Sequence, residues 1–236
     1  MFLLWFCSTT QFFADRWTKQ TIYLWLHNSF HRQSIDATPR IMLIDDDSGE
    51  GIYEIKKICD DLDIKASFAV IPHHMTQTVA DSLKIWQRNG YGIVLHGFKH
   101  NSWEHWTEED IHDDIVKSKQ KLAFFGFDTS QIKIIIPPYG CNTRPIRLAI
   151  FNAGCKMVSG AQLMNPDTTL FQMGRIFITK NTDKEELKRN LVKAKRNNMF
   201  IILGTHSSNN DEFSYILTNE ILEYAKELGF EFITKI

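Results

Sequence analysis

The sequence predicts an α/β protein, a parallel sheet backed by helices, closed into a barrel rather than left open. Two observations carry this. Eight short apolar runs of strand-like residues alternate with six helical patterns through almost the whole chain, and such alternation builds a parallel sheet with helices outside. The number of units favours closure. A length of 236 residues suits one barrel of this kind, and 43% hydrophobic with 23% charged residues describes a chain with a substantial core. No internal repeat, low-complexity tract or second-domain boundary is visible in the body.

Residues 1–38 read differently, as an aromatic-rich N-terminal extension. Phe2, Trp5, Phe6, Phe13 and Trp17 recur roughly at helical spacing, and Tyr23, Leu24, Trp25 and Leu26 continue the bias. The expectation is one or two helices closing the bottom of the domain, with a membrane-surface or protein contact as the sharper alternative. The apolar run at the start is too short to span a bilayer and lacks a basic flank or cleavage site. A cytoplasmic protein, peripheral at a membrane at most, is therefore expected. Cys7, Cys59, Cys141 and Cys155 form no CxxC pair and are expected as free thiols. The net charge of −1 offers no basic field for nucleic acid.

From residue 39 onward the barrel pattern is regular. Strands are predicted at 41–44, 66–71, 92–95, 132–136, 156–158, 175–178, 200–203 and 230–233. Helices are predicted at 51–62, 76–89, 108–125, 143–153, 184–197 and 210–228. Polar residues with chemical potential follow the strands, at the carboxyl edge where α/β folds place their sites.

The first strand ends in Asp45-Asp46-Asp47. Neighbouring residues of a strand point to opposite sides, so one carboxylate can ligate a metal while the next handles a proton. The strand at 92–95 leads to His96 and His100, two imidazoles four apart that can face one metal. The strand at 132–136 runs into Pro137-Pro138-Tyr139-Gly140, a turn in which the Tyr139 N–H is a candidate oxyanion donor. The strand at 200–203 ends at Gly204-Thr205-His206, placing a third histidine at the same rim.

Taken in order, these pieces resemble the polysaccharide deacetylases of the NodB-homology type, carbohydrate esterase family 4, from about Arg40 to Ile236. Leu43-Ile44-Asp45-Asp46-Asp47 resembles the family's TFDDG motif, and Ala66-Ser67-Phe68-Ala69 its ATFF strand. His96 and His100 match HxxxH, Pro137-Pro138-Tyr139-Gly140 the tail of RxPYG, and Leu203 with His206 the closing motif. The resemblance implies a distorted (β/α)7 barrel holding one divalent metal, with zinc expected and cobalt, nickel or manganese as alternatives. It implies Asp45 as catalytic base, Asp46, His96 and His100 as metal ligands, and His206 as catalytic acid. Pro138, Tyr139 and Leu203 would line the substrate site.

The chain departs from the pattern in several places. Asp47 stands for the motif's Gly, Gly97 for its Ser or Thr, and Asn101 for its Pro. Ile136 or a neighbour stands where Arg is usual, and no DxxDW motif follows the next strand. Arg175 is the candidate replacement for the missing arginine. The implied activity is removal of an N-acetyl group from an amino sugar in a polysaccharide or glycoconjugate. The alternatives are a deformylase or deacylase of a lipid-linked amino sugar, and a carbohydrate-binding protein without turnover.

Overall fold

The structure, a computed structural model, is described for residues 38–160, 164–166 and 168–236. The chain divides into Met1–Ala37 and Thr38–Ile236, and the expectations for the N-terminal extension lie outside the described residues. In the second unit the strands are β1 (Arg40–Asp45), β2 (Ser67–Val70), β3 (Gly92–Leu95), β4 (Ile134–Ile135), β5 (Lys156–Val158), β6 (Gln172–Met173), β7 (Ile176–Phe177), β8 (Ile201–Thr205) and β9 (Glu231–Phe232). The helices are α1 (Ile52–Asp61), α2 (Gln77–Arg88), α3 (Glu108–Phe125), α4 (Arg144–Asn152), α5 (Lys184–Arg196) and α6 (Tyr215–Glu227). No helix among the described residues is long and apolar enough to cross a membrane.

The strands run β6-β5-β4-β3-β2-β1-β8-β7, with β9 on the start of β1, and every ladder between them is parallel. The sheet curls with helices outside, giving the distorted (β/α)7 barrel that the sequence led us to expect. Its end strands β6 and β7 are joined by Gly174 and Arg175 alone and do not pair with each other.

Strand β1 is the axis of the arrangement. Ile41, Met42, Leu43 and Ile44 are all fully buried, as the continuous apolar run of a two-sided parallel strand requires. Each such side chain is worth about 1.5–3 kcal/mol when removed from water. Register with β8 runs from Ile41↔Ile201 to Asp45↔Thr205, so the carboxyl ends of both strands finish level. The helices begin with side-chain caps where the sequence offers them: Thr76 caps α2, Thr107 and Asp110 form a capping box on α3, Asp183 caps α5 and Ser214 caps α6.

Four predicted strands are shorter than the apolar runs suggested. Strands β2 and β9 lose one residue at each end. Strand β4 keeps only two of five residues, and Pro137 and Pro138, which cannot donate to a ladder, stop it from running past Ile136. Strand β7 loses Arg175 and Ile178 from its ends. Strand β6 was not foreseen, since two residues carry no periodicity.

Candidate active site

The carboxyl ends of β1, β3, β7 and β8 converge on a cleft of about 470 Å³ lined by Asp46, Asp47, His96, His100, Arg175 and His206, among others. Four of the six described non-glycine residues with positive φ sit here or beside it: Asp47 at 69°, Ser48 at 45°, His100 at 59° and Tyr139 at 57°. Such conformations cost free energy for L-residues and persist where surrounding packing demands them.

The three carboxylates of β1 have three different surroundings. Asp45, the last strand residue, is fully buried and does not line the cleft. Its Oδ1 accepts from Thr205 Oγ1 at 2.7 Å and from Ser207 N at 2.9 Å, and its Oδ2 accepts from Ser207 Oγ at 2.5 Å. Burial pushes its carboxyl up to about 7 against the opposing pull of these donors.

Asp46 is also buried, and both its oxygens are taken by one guanidinium. Arg175 Nη1 donates to Oδ1 and Nη2 to Oδ2, each at 2.7 Å. Burial works to raise the Asp46 pKa, but Arg175, with His96 and His206 nearby, holds it below the usual carboxylate value. Its Oδ2 lies 3.7 Å from His96 Nε2 and 3.6 Å from His206 Nε2.

Asp47 lies past the strand end. Its Oδ1 is 3.5 Å from His96 Nε2 and 3.7 Å from His100 Nε2, and the two imidazole Nε2 atoms are 3.2 Å apart. This is the described trio of potential ligand atoms that draws together closely enough for one ion. The carboxylate that converges with the two histidines is thus Asp47, where the sequence led us to name Asp46.

The histidines are oriented by backbone. His96 Nδ1 sits 2.9 Å from the Ile136 carbonyl, which can only accept, so that nitrogen donates and Nε2 is the atom turned toward Asp47. The turn between the histidines is held by Asp114 of α3, whose Oδ1 accepts from Phe98 N at 2.7 Å. Burial, and the neighbouring His96, lower the His100 pKa and keep its ring neutral.

His206 projects from the end of β8, partly exposed. Its Nδ1 is 3.3 Å from Glu212 Oε2, and its ring stacks on Phe177 at 4.6 Å with 6° between the planes. Arg175 lies over the same Phe177, its Cζ 4.3 Å from the ring centre. Residues two apart in an extended chain share a face, so Arg175, just ahead of β7, brings the guanidinium to Asp46 while Phe177, the last residue of β7, lies beneath His206. Gly204 makes room, since a Cβ there would meet the Phe177 ring at 2.9 Å.

The remaining expected site residues fall in two groups. Tyr139 is at the cleft, its ring 4.6 Å from His100 and 71% exposed. Pro138 and Leu203 are not among the cleft's lining residues. Leu203 is fully buried within β8, paired with Leu43, and Pro138 packs where a Cβ on Gly97 would come within 2.8 Å.

Several contributors escaped the sequence reading. Glu212 and Phe177 carry no motif. Asn165 is buried in a segment with no periodicity, yet its Oδ1 accepts from Gly174 N at 2.9 Å and its Nδ2 donates to Gly174 O at 3.0 Å. That paired contact fixes the backbone just before Arg175. Replacing Asn165 with alanine is expected to cost about 1–3 kcal/mol, since a buried N–H and C=O lose their partner. Urea unfolding would show the loss.

Comparisons with known proteins were made against this geometry. A family profile described as polysaccharide deacetylase matches residues 36–158, just over half of the chain. A search of the curated proteins finds no match. Among solved structures, a family 4 acetyl xylan esterase from Clostridium thermocellum, in complex with a cobalt ion, is 17% identical with a TM-score of 0.60. The alignment covers 82% of this chain and 86% of that one. The catalytic domain of a peptidoglycan N-acetylglucosamine deacetylase from Eubacterium rectale is 15% identical at TM-score 0.60, over 88% and 93% of the two chains. A CE4 family pseudoenzyme from Bacillus anthracis is 14% identical at TM-score 0.57, over 83% and 63%. At these identities the likeness concerns the fold.

Proposed function

The chain belongs to the polysaccharide deacetylase family, and we propose that it is a metal-dependent hydrolase that removes an N-acetyl group from an amino sugar in a glycan. The observation that carries the reading is the meeting of Asp47, His96 and His100 beside a carboxylate clamped by arginine.

The trio fits a divalent metal. Asp47 Oδ1 is buried with no hydrogen-bond partner, a state that costs free energy unless a cation or another donor takes it up. Two imidazoles with free Nε2 and one carboxylate are a donor set suited to zinc or cobalt. In this reading Asp46 and Asp47 take the two Asp places of the TFDDG motif, and Ser48 takes its Gly place. The paired bonds of Arg175 to Asp46 and the convergence of Asp47 with the two histidines support that register.

A metal held by these residues would supply Lewis acidity toward the water and the substrate's acyl oxygen. Asp46 is the proposed base. Kept ionised by Arg175, it takes the proton of the attacking water. Tyr139, at the cleft, is the proposed oxyanion donor through its backbone N–H. His206, with Glu212 behind its Nδ1, is the proposed acid that protonates the departing nitrogen. The products are acetate and a free amine.

The decisive experiment is to load the protein with zinc or cobalt and measure acetate and formate released from a panel of N-acyl amino sugars and their oligomers. Acetate release that stops on chelation and returns with metal is the expected result. Formate release alone would move the reading to a deformylase. Sugar binding without release of either acid would leave a carbohydrate-binding protein in its place.

A further inference from the structure

Asp45 has no part in the chemistry just described, yet its carboxylate is fully buried and engaged by three donors. Those donors belong to the two residues that flank His206. Thr205 gives its hydroxyl, and Ser207 gives both its hydroxyl and its backbone N–H. We propose that Asp45 is a positioning residue for His206, tying the chain on both sides of that imidazole to the end of β1. The inference rests on the reading of His206 as the group that protonates the leaving nitrogen.

The local geometry shows why such a tie is needed. The ladder between β1 and β8 ends at Asp45↔Thr205, and Asp46 N donates to Thr205 O at 2.8 Å. Beyond Ser207 the chain leaves the sheet for an exposed loop, with Ser208 to Asp211 all exposed. His206 therefore sits at the step from ladder to loop, where backbone pairing stops. The Asp45 carboxylate reaches two residues past the ladder and holds Ser207. The start of α1 braces the same point from outside, since a Cβ on Gly51 would lie 2.1 Å from Ser207 O.

A side chain with two acceptor oxygens suits this place. Two hydroxyls and an amide N–H converge on it, and the Asp45 carboxyl oxygens accept all three. Asparagine would keep one acceptor and set its amide NH2 against the Ser207 hydroxyl, which can turn to accept, so it tests the tie less sharply than alanine. A hydrocarbon side chain would leave all three donors unpaired in a dry site. In the register proposed above, Asp45 occupies the place of the motif's Phe, so this tie replaces apolar packing by a polar staple.

The test separates positioning from general structural damage by the leaving group. Zinc-loaded full-length protein, Asp45→Ala and Ser207→Ala are compared on an N-acetylated chitooligosaccharide and on 4-nitrophenyl acetate. Nitrophenolate departs without a proton, whereas the amine needs one. Asp45→Ala is expected to lose about 100-fold on the amide and under about threefold on the ester, with zinc retained; Ser207→Ala should lose about tenfold on the amide alone. Equal losses on both substrates, or no loss on the amide, would overturn the proposal.

A second readout needs no turnover. The His206 ring signal in a proton–carbon NMR spectrum, assigned by its disappearance in His206→Ala, should be single in the parent protein. It should shift or double in Asp45→Ala, and in Ser207→Ala if the first variant does not fold. An unchanged signal overturns the proposal. If the parent protein is inert toward both substrates, the deacetylase reading fails, and the ring signal still decides the role of Asp45.

Discussion

Asp47→Ala is expected to strip the protein of its metal, whereas Asp46→Asn should retain it and lose turnover. The two neighbours differ in what already occupies their oxygens. Both oxygens of Asp46 receive hydrogen bonds from Arg175, while Asp47 Oδ1 is buried without a partner and faces two imidazoles. Losing a group that orients a ligand typically costs about 10–100-fold in metal affinity, and losing a ligand itself should exceed that. Removing a general base should lower turnover by about 10²–10⁴-fold. Metal content after dialysis, set beside acetate release, checks both halves. A metal-free Asp46→Asn with a metal-loaded Asp47→Ala would return the ligand role to Asp46.

Arg175→Ala is expected to be the most destabilising single change at the site. It removes the partner of a buried carboxylate, and an ion pair broken on one side in such surroundings costs about 3–5 kcal/mol. The sign with pH follows from the direction of the Asp46 shift. Its folded-state pKa is held below the ordinary aspartate value of 3.8, so its contribution to stability is present at neutral pH and is lost as pH falls through that depressed pKa. Without the guanidinium the Asp46 pKa rises, and the acidic limb of the pH–rate profile should move upward. Arg175→Lys should rescue little, because an ammonium cannot reproduce two parallel bonds to one carboxylate. Denaturant unfolding and pH–rate profiles of the two variants give the comparison.

The alternation of apolar runs was legible because a parallel sheet demands it, and the fold followed from that pattern. His96 and His206 were legible because each directly follows a strand, and His100 because it stands four residues from His96. Arg175 was recoverable as a basic residue entering a later strand, although only the folded chain shows that it reaches Asp46 across 129 positions of sequence. The three aspartates were not resolvable. A run of identical residues fits a two-Asp motif in either register, and the difference lies in backbone torsion, with Asp45 still in the ladder and Asp47 at φ 69°. Leu203 was misplaced for a related reason: an apolar residue near a motif histidine reads as pocket wall, whereas the pleat turns this one into the core. Asn165 lies in a stretch without periodicity, and Glu212 falls in the predicted helix at 210–228 but ahead of the observed start of α6, where only the folded chain brings it to His206.

The placement of β1 between β2 and β8 bears on how the protein is made. Asp47, His96 and His100 lie within the first hundred residues, whereas Arg175, Thr205, His206 and Ser207 come from the last third of the chain. As synthesis proceeds from the N-terminus, the nascent polypeptide contains the whole candidate metal trio well before it contains any partner for Asp45 or Asp46. Until β8 emerges, β1 has one edge unpaired and two carboxylates without their donors. Burying them early is unfavourable, so this end of the sheet must wait for contacts of very long sequence separation, which form slowly. The residues of the site are therefore synthesised at different times, and their assembly waits on the last of them.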